Sequence, residues 1–299
     1  MSILVVGSVA LDSIRTPFGE AKEVLGGSAT FFSIAASLFN RVSMVAVVGD
    51  DFPDSNVKFL ESRDVDLRGL KRVPGRTFRW EGYYDYDLNE AHTLDTQLNV
   101  FESFDPEIPE EYRDAEYVFL ANIDPELQLK VLTQVRAPRL TICDTMNYWI
   151  GNKREQLLET ISRVDYLLLN DAEARELAGE PNLITAGRKL LEMGPARVII
   201  KKGEHGVIML AKDQFFSLPA YPLETVFDPT GAGDTFGGGF LGSLSRFPEM
   251  SEEQIRRSIV YGSVVASYVV ESFSCDRLAQ LSNDDVEERY REFLDITCF

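Results

Sequence analysis

Short runs of apolar residues constrain this chain more than any other feature: 3–7, 44–49, 117–121, 140–144, 166–170 and 197–201. Each is about five residues long and nearly all apolar, and each closes on a turn or capping residue. That is the pattern of a strand buried on both faces. Amphipathic stretches with helical spacing lie between them, at 28–40, 54–63, 125–135, 152–162, 171–179 and 183–193. Strands of this kind separated by helices predict an α/β fold whose mainly parallel sheet is covered on both sides. Beyond residue 233 the pattern becomes helical, at 234–246, 252–271 and 283–295. With no linker or internal repeat, the 299 residues read as one domain, 1–299.

Composition narrows the function. Lys and Arg number 30 against 48 Asp and Glu, a formal charge of −18, which argues against nucleic acid or an anionic membrane as partner. The start of the chain lacks the basic segment of a signal peptide, and no apolar run approaches the roughly 18 residues of a membrane span. Cys143, Cys275 and Cys298 are widely spaced, which suits neither a disulfide framework nor a zinc site. A cytoplasmic location is expected.

One region breaks the rhythm. Phe78, Trp80, Tyr84 and Tyr86 alternate with mostly polar neighbours, and Leu94, Thr96, Leu98 and Val100 do the same after a loop at 87–91. Period-two alternation on both sides of a short loop predicts an antiparallel hairpin, forming a small sheet that projects from the main body. The simplest reading is a surface ribbon. The functional one is a lid over a site or a dimer clasp, because an aromatic strand face needs a cover.

The segment Asp228-Pro229-Thr230-Gly231-Ala232-Gly233-Asp234 carries the strongest chemical signal. Its glycines permit a tight turn in which several N–H groups converge at a helix N-terminus, an arrangement that holds an anion. Asp234 would repel that anion unless it has work to do, and taking a proton from an attacking hydroxyl is such work. A bare Gly-Ala-Gly-Asp would more often be only a capped helix start.

The whole string resembles the D-x-T-G-A-G-D signature of the ribokinase-like (PfkB) carbohydrate kinase family. Gly26-Gly27, Val48-Gly49-Asp50-Asp51, Asn170-Asp171-Ala172-Glu173 and Lys201-Lys202-Gly203-Glu204-His205-Gly206 match further motifs of that family, in order. The resemblance implies a three-layer α/β/α domain with an inserted β-sheet lid, here about 13–25 and 72–101. It also implies ATP-dependent phosphorylation of a hydroxyl on a sugar or sugar-like molecule, with Mg²⁺. Asp234 would then be the general base, and Gly231, Ala232 and Gly233 the anion hole. Asp12, Gly26, Gly27 and Phe31 would meet the acceptor. Asn170, Glu173, Lys201, Gly203 and Gly206 would serve the nucleotide, Glu173 holding Mg²⁺ through water, with Ser263 and Ala266 closing the purine pocket. Asp228 would lie near the site where many relatives hold a monovalent cation such as K⁺, and a homodimer would form through the lid.

Blander roles stand beside these. Asn170 and Glu173 also spell a helix capping box, Gly26-Gly27 an ordinary loop, and Asp12 a turn acid. Two departures bear on the acceptor. Phe31 stands where the family commonly has Asn, and Asp144-Thr145-Met146-Asn147 is a shifted form of its D-x-N-x-R pattern without the Arg. Both speak against a plain ribokinase and leave nucleosides and cyclitols open. A Walker A string is absent, as is a G-x-G-x-x-G after the first strand, so a P-loop kinase and a dinucleotide oxidoreductase fit poorly. A non-catalytic sugar or nucleotide sensor would be expected to lose Asp234 or the glycines.

Overall fold

The structure is a computed structural model describing residues 2–298. The chain begins β1 (Ile3–Val6), β2 (Ala10–Thr16), β3 (Gly19–Gly26), α1 (Ser28–Ser37), β4 (Val42–Val48), α2 (Asp54–Ser62) and β5 (Val65–Arg72). It continues through β6 (Phe78–Tyr84), β7 (Ala91–Gln97), β8 (Tyr117–Leu120), α3 (Pro125–Leu132), β9 (Leu140–Asp144), α4 (Asn147–Asn152) and α5 (Arg154–Ile161). Then come β10 (Tyr166–Asn170), α6 (Asp171–Ala178), α7 (Leu183–Leu191), β11 (Arg197–Lys201), β12 (Val207–Ala211) and β13 (Phe215–Leu218). Four helices close it: α8 (Ala232–Leu244), α9 (Glu252–Val269), α10 (Asp276–Gln280) and α11 (Asn283–Thr297).

A nine-stranded sheet runs β13-β12-β11-β10-β9-β8-β1-β4-β5, parallel except where β12 meets β11 and β13. Its strands are continuously apolar because each alternates between two covered faces. Ile3 and Val5 enter one core and Leu4 and Val6 the other; Tyr117 and Phe119 likewise oppose Val118 and Leu120. Strand order reverses between β1 and β8. In open parallel sheets the crevice at the carboxyl ends beside such a reversal is where ligands bind.

Helix α8 lies close against α1 and α9, and its glycines make the approach possible. A methyl on Gly238 would stand 2.3 Å from the Phe32 carbonyl, and one on Gly242 2.9 Å from Cα of Ala36. This packing fixes α8, and with it the turn at its N-terminus.

The second sheet has the order β3-β2-β6-β7, with β2 and β6 parallel and the other pairs antiparallel. It leaves the body directly after β1, beginning at Ala10. The hairpin differs from the sequence expectation at its far end. β7 spans Ala91–Gln97, and Asn99–Ser103 forms a 3₁₀ turn that carries Val100 into the core instead of onto the strand face. A register shift at Glu81/Gly82 lets the Trp80 ring lie across Gly82, where a Cβ would come within 2.3 Å of it.

Other differences are local. The helix expected at 152–162 is α5, which begins at Arg154; the short α4 before it is an addition, and the two meet at Lys153, whose ammonium is drawn to Asp124 (2.6 Å) and Glu126 (3.0 Å). The antiparallel pair β12–β13 and the edge strand β5 were not anticipated, and α8 begins at Ala232 instead of Asp234. Among the described residues no helix is long and apolar enough to cross a membrane.

Candidate active site

Three strands of the large sheet end on polar or charged side chains at the same edge: β9 on Asp144, β10 on Asn170 and β11 on Lys201. β1 ends nearby in Gly7-Ser8. Ser8 and Ser28 exchange hydrogen bonds: the Ser28 amide donates to Ser8 Oγ (3.0 Å) and the Ser8 amide to Ser28 Oγ (3.2 Å). This clasp fixes the Gly26-Gly27 turn against the end of β1, with Gly27 at φ +94°.

Asp12, on β2, is buried and packs onto Gly26 so closely that a Cβ there would fall 1.9 Å from Oδ2 and 2.4 Å from Cγ. Burial pushes the Asp12 carboxyl up to about 7; the Gly27 amide opposes this, while Asp228 and Asp234 add to it. The small sheet also reaches the site through Tyr84, whose phenol oxygen accepts a hydrogen bond from Thr230 Oγ1 (3.2 Å).

The segment before α8 is held from below. Asp228, buried, accepts hydrogen bonds from the amides of Thr230 (2.9 Å) and Ser274 (3.1 Å). Gly231 caps α8 at φ +77°, placing Ala232, Gly233 and Asp234 in its first turn. The Phe31 ring, 2% exposed, lies directly beneath Gly231. Burial pushes the Asp234 carboxyl up to about 7, with Asp144 adding and Lys201 opposing.

Asn170 and Glu173 form a complete capping box: the Glu173 amide donates to Asn170 Oδ1 and the Asn170 amide to Glu173 Oε2, both at 2.8 Å. The expected cap is therefore present, and it also pins the buried Glu173 carboxyl in place. Burial raises that carboxyl to about 8, with Lys201 opposing and Asp144 adding. The Lys201 ammonium binds Asp144 Oδ2 at 2.7 Å. Burial works against its charge, yet Asp144 and Glu173 hold it above its usual range.

Gly203 and Gly206 bracket a compact turn after β11, closed by a hydrogen bond from the Lys202 amide to the Gly206 carbonyl (2.7 Å). A Cβ on Gly203 would lie 3.2 Å from Asn89 Oδ1, so the loop between β6 and β7 reaches this turn. Ser263 and Ala266 are half-buried and three residues apart on α9.

Asp234 thus stands where two groups meet, Asp12 and Asp228 on one side and Asp144, Glu173 and Lys201 on the other. Asp144 is the addition to the residues singled out in sequence, whereas Tyr84, read there as part of the aromatic hairpin face, reaches the site through Thr230. Asp144 had been noted only as part of an irregular motif, although an acid closing a parallel strand at the ligand edge was a usable signal. A separate groove of about 490 Å³ lined by Arg41, Asp66, Arg68 and Arg72 shares none of these residues; Asp66 pairs with Arg41 and Arg68.

The residues fit Mg²⁺ arriving with a nucleotide. Among the described residues no three His, Cys, Asp or Glu side chains converge to cage a metal. Mg²⁺ commonly keeps several waters and takes one or two carboxylates beside substrate phosphates. Glu173, one oxygen committed to the Asn170 amide, offers the other for such a water.

A half-buried carboxylate pushed up to about 7, an amide-rich helix start beside it and one fixed ammonium suit few reactions other than phosphoryl transfer to a hydroxyl. The class this defines is a phosphotransferase with an alcohol group as acceptor. Comparison with known proteins names the family. The model for pfkB family carbohydrate kinases matches residues 2–280, and the chain belongs to that family. It is 32% identical over 259 residues to a cytidine kinase of Thermococcus kodakarensis, covering 84% of this chain and 91% of that one. The crystal structure of a Methanocaldococcus jannaschii nucleoside kinase superposes with a TM-score of 0.78 at 22% identity, covering 97% of this chain and 98% of the other. A protein of the ribokinase II type from E. coli, in complex with ATP and Mg²⁺, gives 0.80 at 19% identity, covering 97% and 99%. At these identities the two structures speak for the fold.

The site predicts a selective effect at Gly26. Its Cβ would displace the Asp12 carboxyl, and the overlap reaches Cγ, so a tip rotation does not relieve it. Gly26→Ala is expected to raise the acceptor KM about 10-fold or more while ATP affinity stays within about threefold. Initial-rate kinetics in both substrates check this; an unchanged acceptor KM would remove Asp12 from acceptor binding.

Proposed function

We propose that the protein transfers the γ-phosphoryl group of ATP, with Mg²⁺, to a hydroxyl of a nucleoside. The observation that carries the reaction is Asp234 in the first turn of α8, directly after the Gly231–Gly233 backbone and beside Lys201. In this reading Asp12 and the Gly26-Gly27 turn hold the acceptor sugar, and its hydroxyl points to Asp234. Asp234 takes the proton as the oxygen attacks, and the turn amides face the charge on the phosphoryl oxygens. Mg²⁺ supplies charge neutralisation on the nucleotide phosphates. The excess of carboxylates over ammonium here favours a nucleotide arriving with its cation.

The nucleoside acceptor is supported by the likeness to a cytidine kinase and by the aromatic character of the small sheet. Trp80 is paired in register with Asp12, and Tyr84 reaches Thr230, so both rings belong to the sheet that begins at the acceptor end. We assign that sheet, about 13–25 and 72–101, the role of lid and of dimer clasp. Asp228 is assigned to a K⁺-dependent loop, and the three unpaired cysteines support a cytoplasmic setting. ADP formation measured across nucleosides, free pentoses and inositols tests the acceptor. The expected result is a kcat/KM for at least one nucleoside about 10-fold or more above that for ribose. Preference for a free sugar or an inositol would overturn it.

A further inference from the structure

Lys201 and Asp144, 57 positions apart, form a pair at the floor of the site: the side chains are 16% and 5% exposed and the N–O distance is 2.7 Å. The ammonium lies against the backbone of the anion-binding turn. A Cβ on Gly233 would stand 3.0 Å from Nζ, with the lysine stem running on beneath it (Cε at 3.6 Å, Cδ at 3.8 Å). Asp144 is itself fixed. Its second oxygen accepts from the Thr145 amide at 3.0 Å, and its carbonyl accepts from Gln128 Nε2 at 2.9 Å, which also binds the Ala121 carbonyl at 2.9 Å. Gln128 thereby ties the ends of β8 and β9 together. This buried scaffold aims one cation at one point under the Gly231–Gly233 turn.

We propose that Lys201 is a catalytic residue whose ammonium meets the phosphoryl group in transit, and that Asp144 is a positioning residue that holds it there. The inference rests on the kinase reading above. In the step, the acceptor oxygen bonds to the γ-phosphorus as the bond to the β,γ-bridging oxygen breaks, and the hydroxyl proton passes to Asp234. Lys201 keeps its protons and stabilises the equatorial oxygens. A flexible lysine free in solution would have to be ordered at the moment of reaction; here Asp144 has already ordered it. A side chain at 233 would crowd the ammonium, which stands 3.0 Å from where its Cβ would lie.

Removing one partner of a buried pair is destabilising in itself, whereas neutralising both is often tolerated. The test therefore uses Lys201→Met, Asp144→Asn and the double variant, each checked by thermal melting. Lys201→Met and the double variant are expected to lose about 100-fold in kcat, and Asp144→Asn about 10-fold, with acceptor KM within about threefold in all. Calorimetry with Mg²⁺ and ADP, with and without aluminium fluoride as phosphoryl mimic, gives a readout independent of acceptor. Fluoride should tighten ADP in the native protein and fail to do so without Lys201. A stable double variant that retains kcat, or that retains the fluoride effect, overturns the proposal, as does a native protein with no fluoride effect. A native protein that shows the fluoride effect but turns over no alcohol leaves Lys201 in place and rejects the proposed reaction.

Discussion

Asp234→Asn is expected to lower kcat by roughly 10²–10⁴-fold while leaving ATP affinity unchanged or slightly tighter. Asn keeps the shape of the side chain and its compatibility with a helix start, but it cannot take the proton. The same substitution should change how stability depends on pH. The folded-state carboxyl titrates at about 7, against an ordinary value of 3.8. Between those values the folded protein keeps a proton that the unfolded chain has lost, so stability falls as pH rises from about 4 to about 7. Asp12 acts in the same direction over the same range, and Glu173 between 4.5 and about 8. Asp228, also raised by burial, adds with the same sign, and removing Asp234 deletes one of these four contributions. Without nucleotide, the variant should melt close to wild type near pH 4 and about 2–6 °C above it at pH 8, allowing for partial solvent screening. Catalysis runs the other way: kcat/KM should rise with pH through about 7 as Asp234 loses its proton. A folded Asp234→Asn protein that keeps a tenth of wild-type kcat and melts lower at pH 8 would make the residue a mere helix-start acid.

The parts of this molecule that could be read from sequence share one physical property: their residues are determined locally. β1, β8, β9, β10 and β11 lie where continuous apolar runs placed them, because both of their faces are covered. β5 escaped notice because Asp66, Arg68, Lys71 and Arg72 make it polar, as an edge strand can be, with Asp66 spoken for by Arg41 and Arg68. The short α4 is not legible, because its junction with α5 at Lys153 is held by two carboxylates on another element, and no periodicity reports that. Within the site, the capping box of Asn170 and Glu173 is a spacing of three and was legible. The Lys201–Asp144 pair is not: only the neighbouring ends of β9, β10 and β11 bring it together. Phe31 is the instructive middle case. Its sequence position marked it as part of the site, but only the packing shows that its ring faces Gly231.

That contact makes Gly231→Ala the second large effect. Gly231 sits at φ +77° and ψ 1°, a region in which a Cβ costs roughly 1 kcal/mol before any contact is counted. Its Cβ would also lie 2.5 Å from Cγ and Cδ2 of Phe31 and 2.6 Å from Cδ1, over the face of the ring. The ring cannot withdraw, because Phe31 is packed in the core with Phe32 and Ala29 on the same helix. The turn must move instead, by about the ångström that costs an oriented reaction 10²-fold. Gly231→Ala is therefore expected to lose at least about 100-fold in kcat, with a clear drop in melting temperature. Phe31→Leu in the same chain should give back part of both, since a smaller side chain leaves room for the methyl; a double-mutant cycle would read this as coupling of about 1–2 kcal/mol. Phe31→Asn separates two meanings of the position. If the ring is a wall of the acceptor pocket, Asn should redirect acceptor choice at similar kcat. If it supports the turn, kcat should fall for every acceptor in equal proportion, and an amide left unpaired in the core should lower stability as well. The geometry beneath Gly231 favours the proportional loss. A Gly231→Ala protein with near-normal kcat would show that the Gly231–Gly233 amides do not carry the transferred charge.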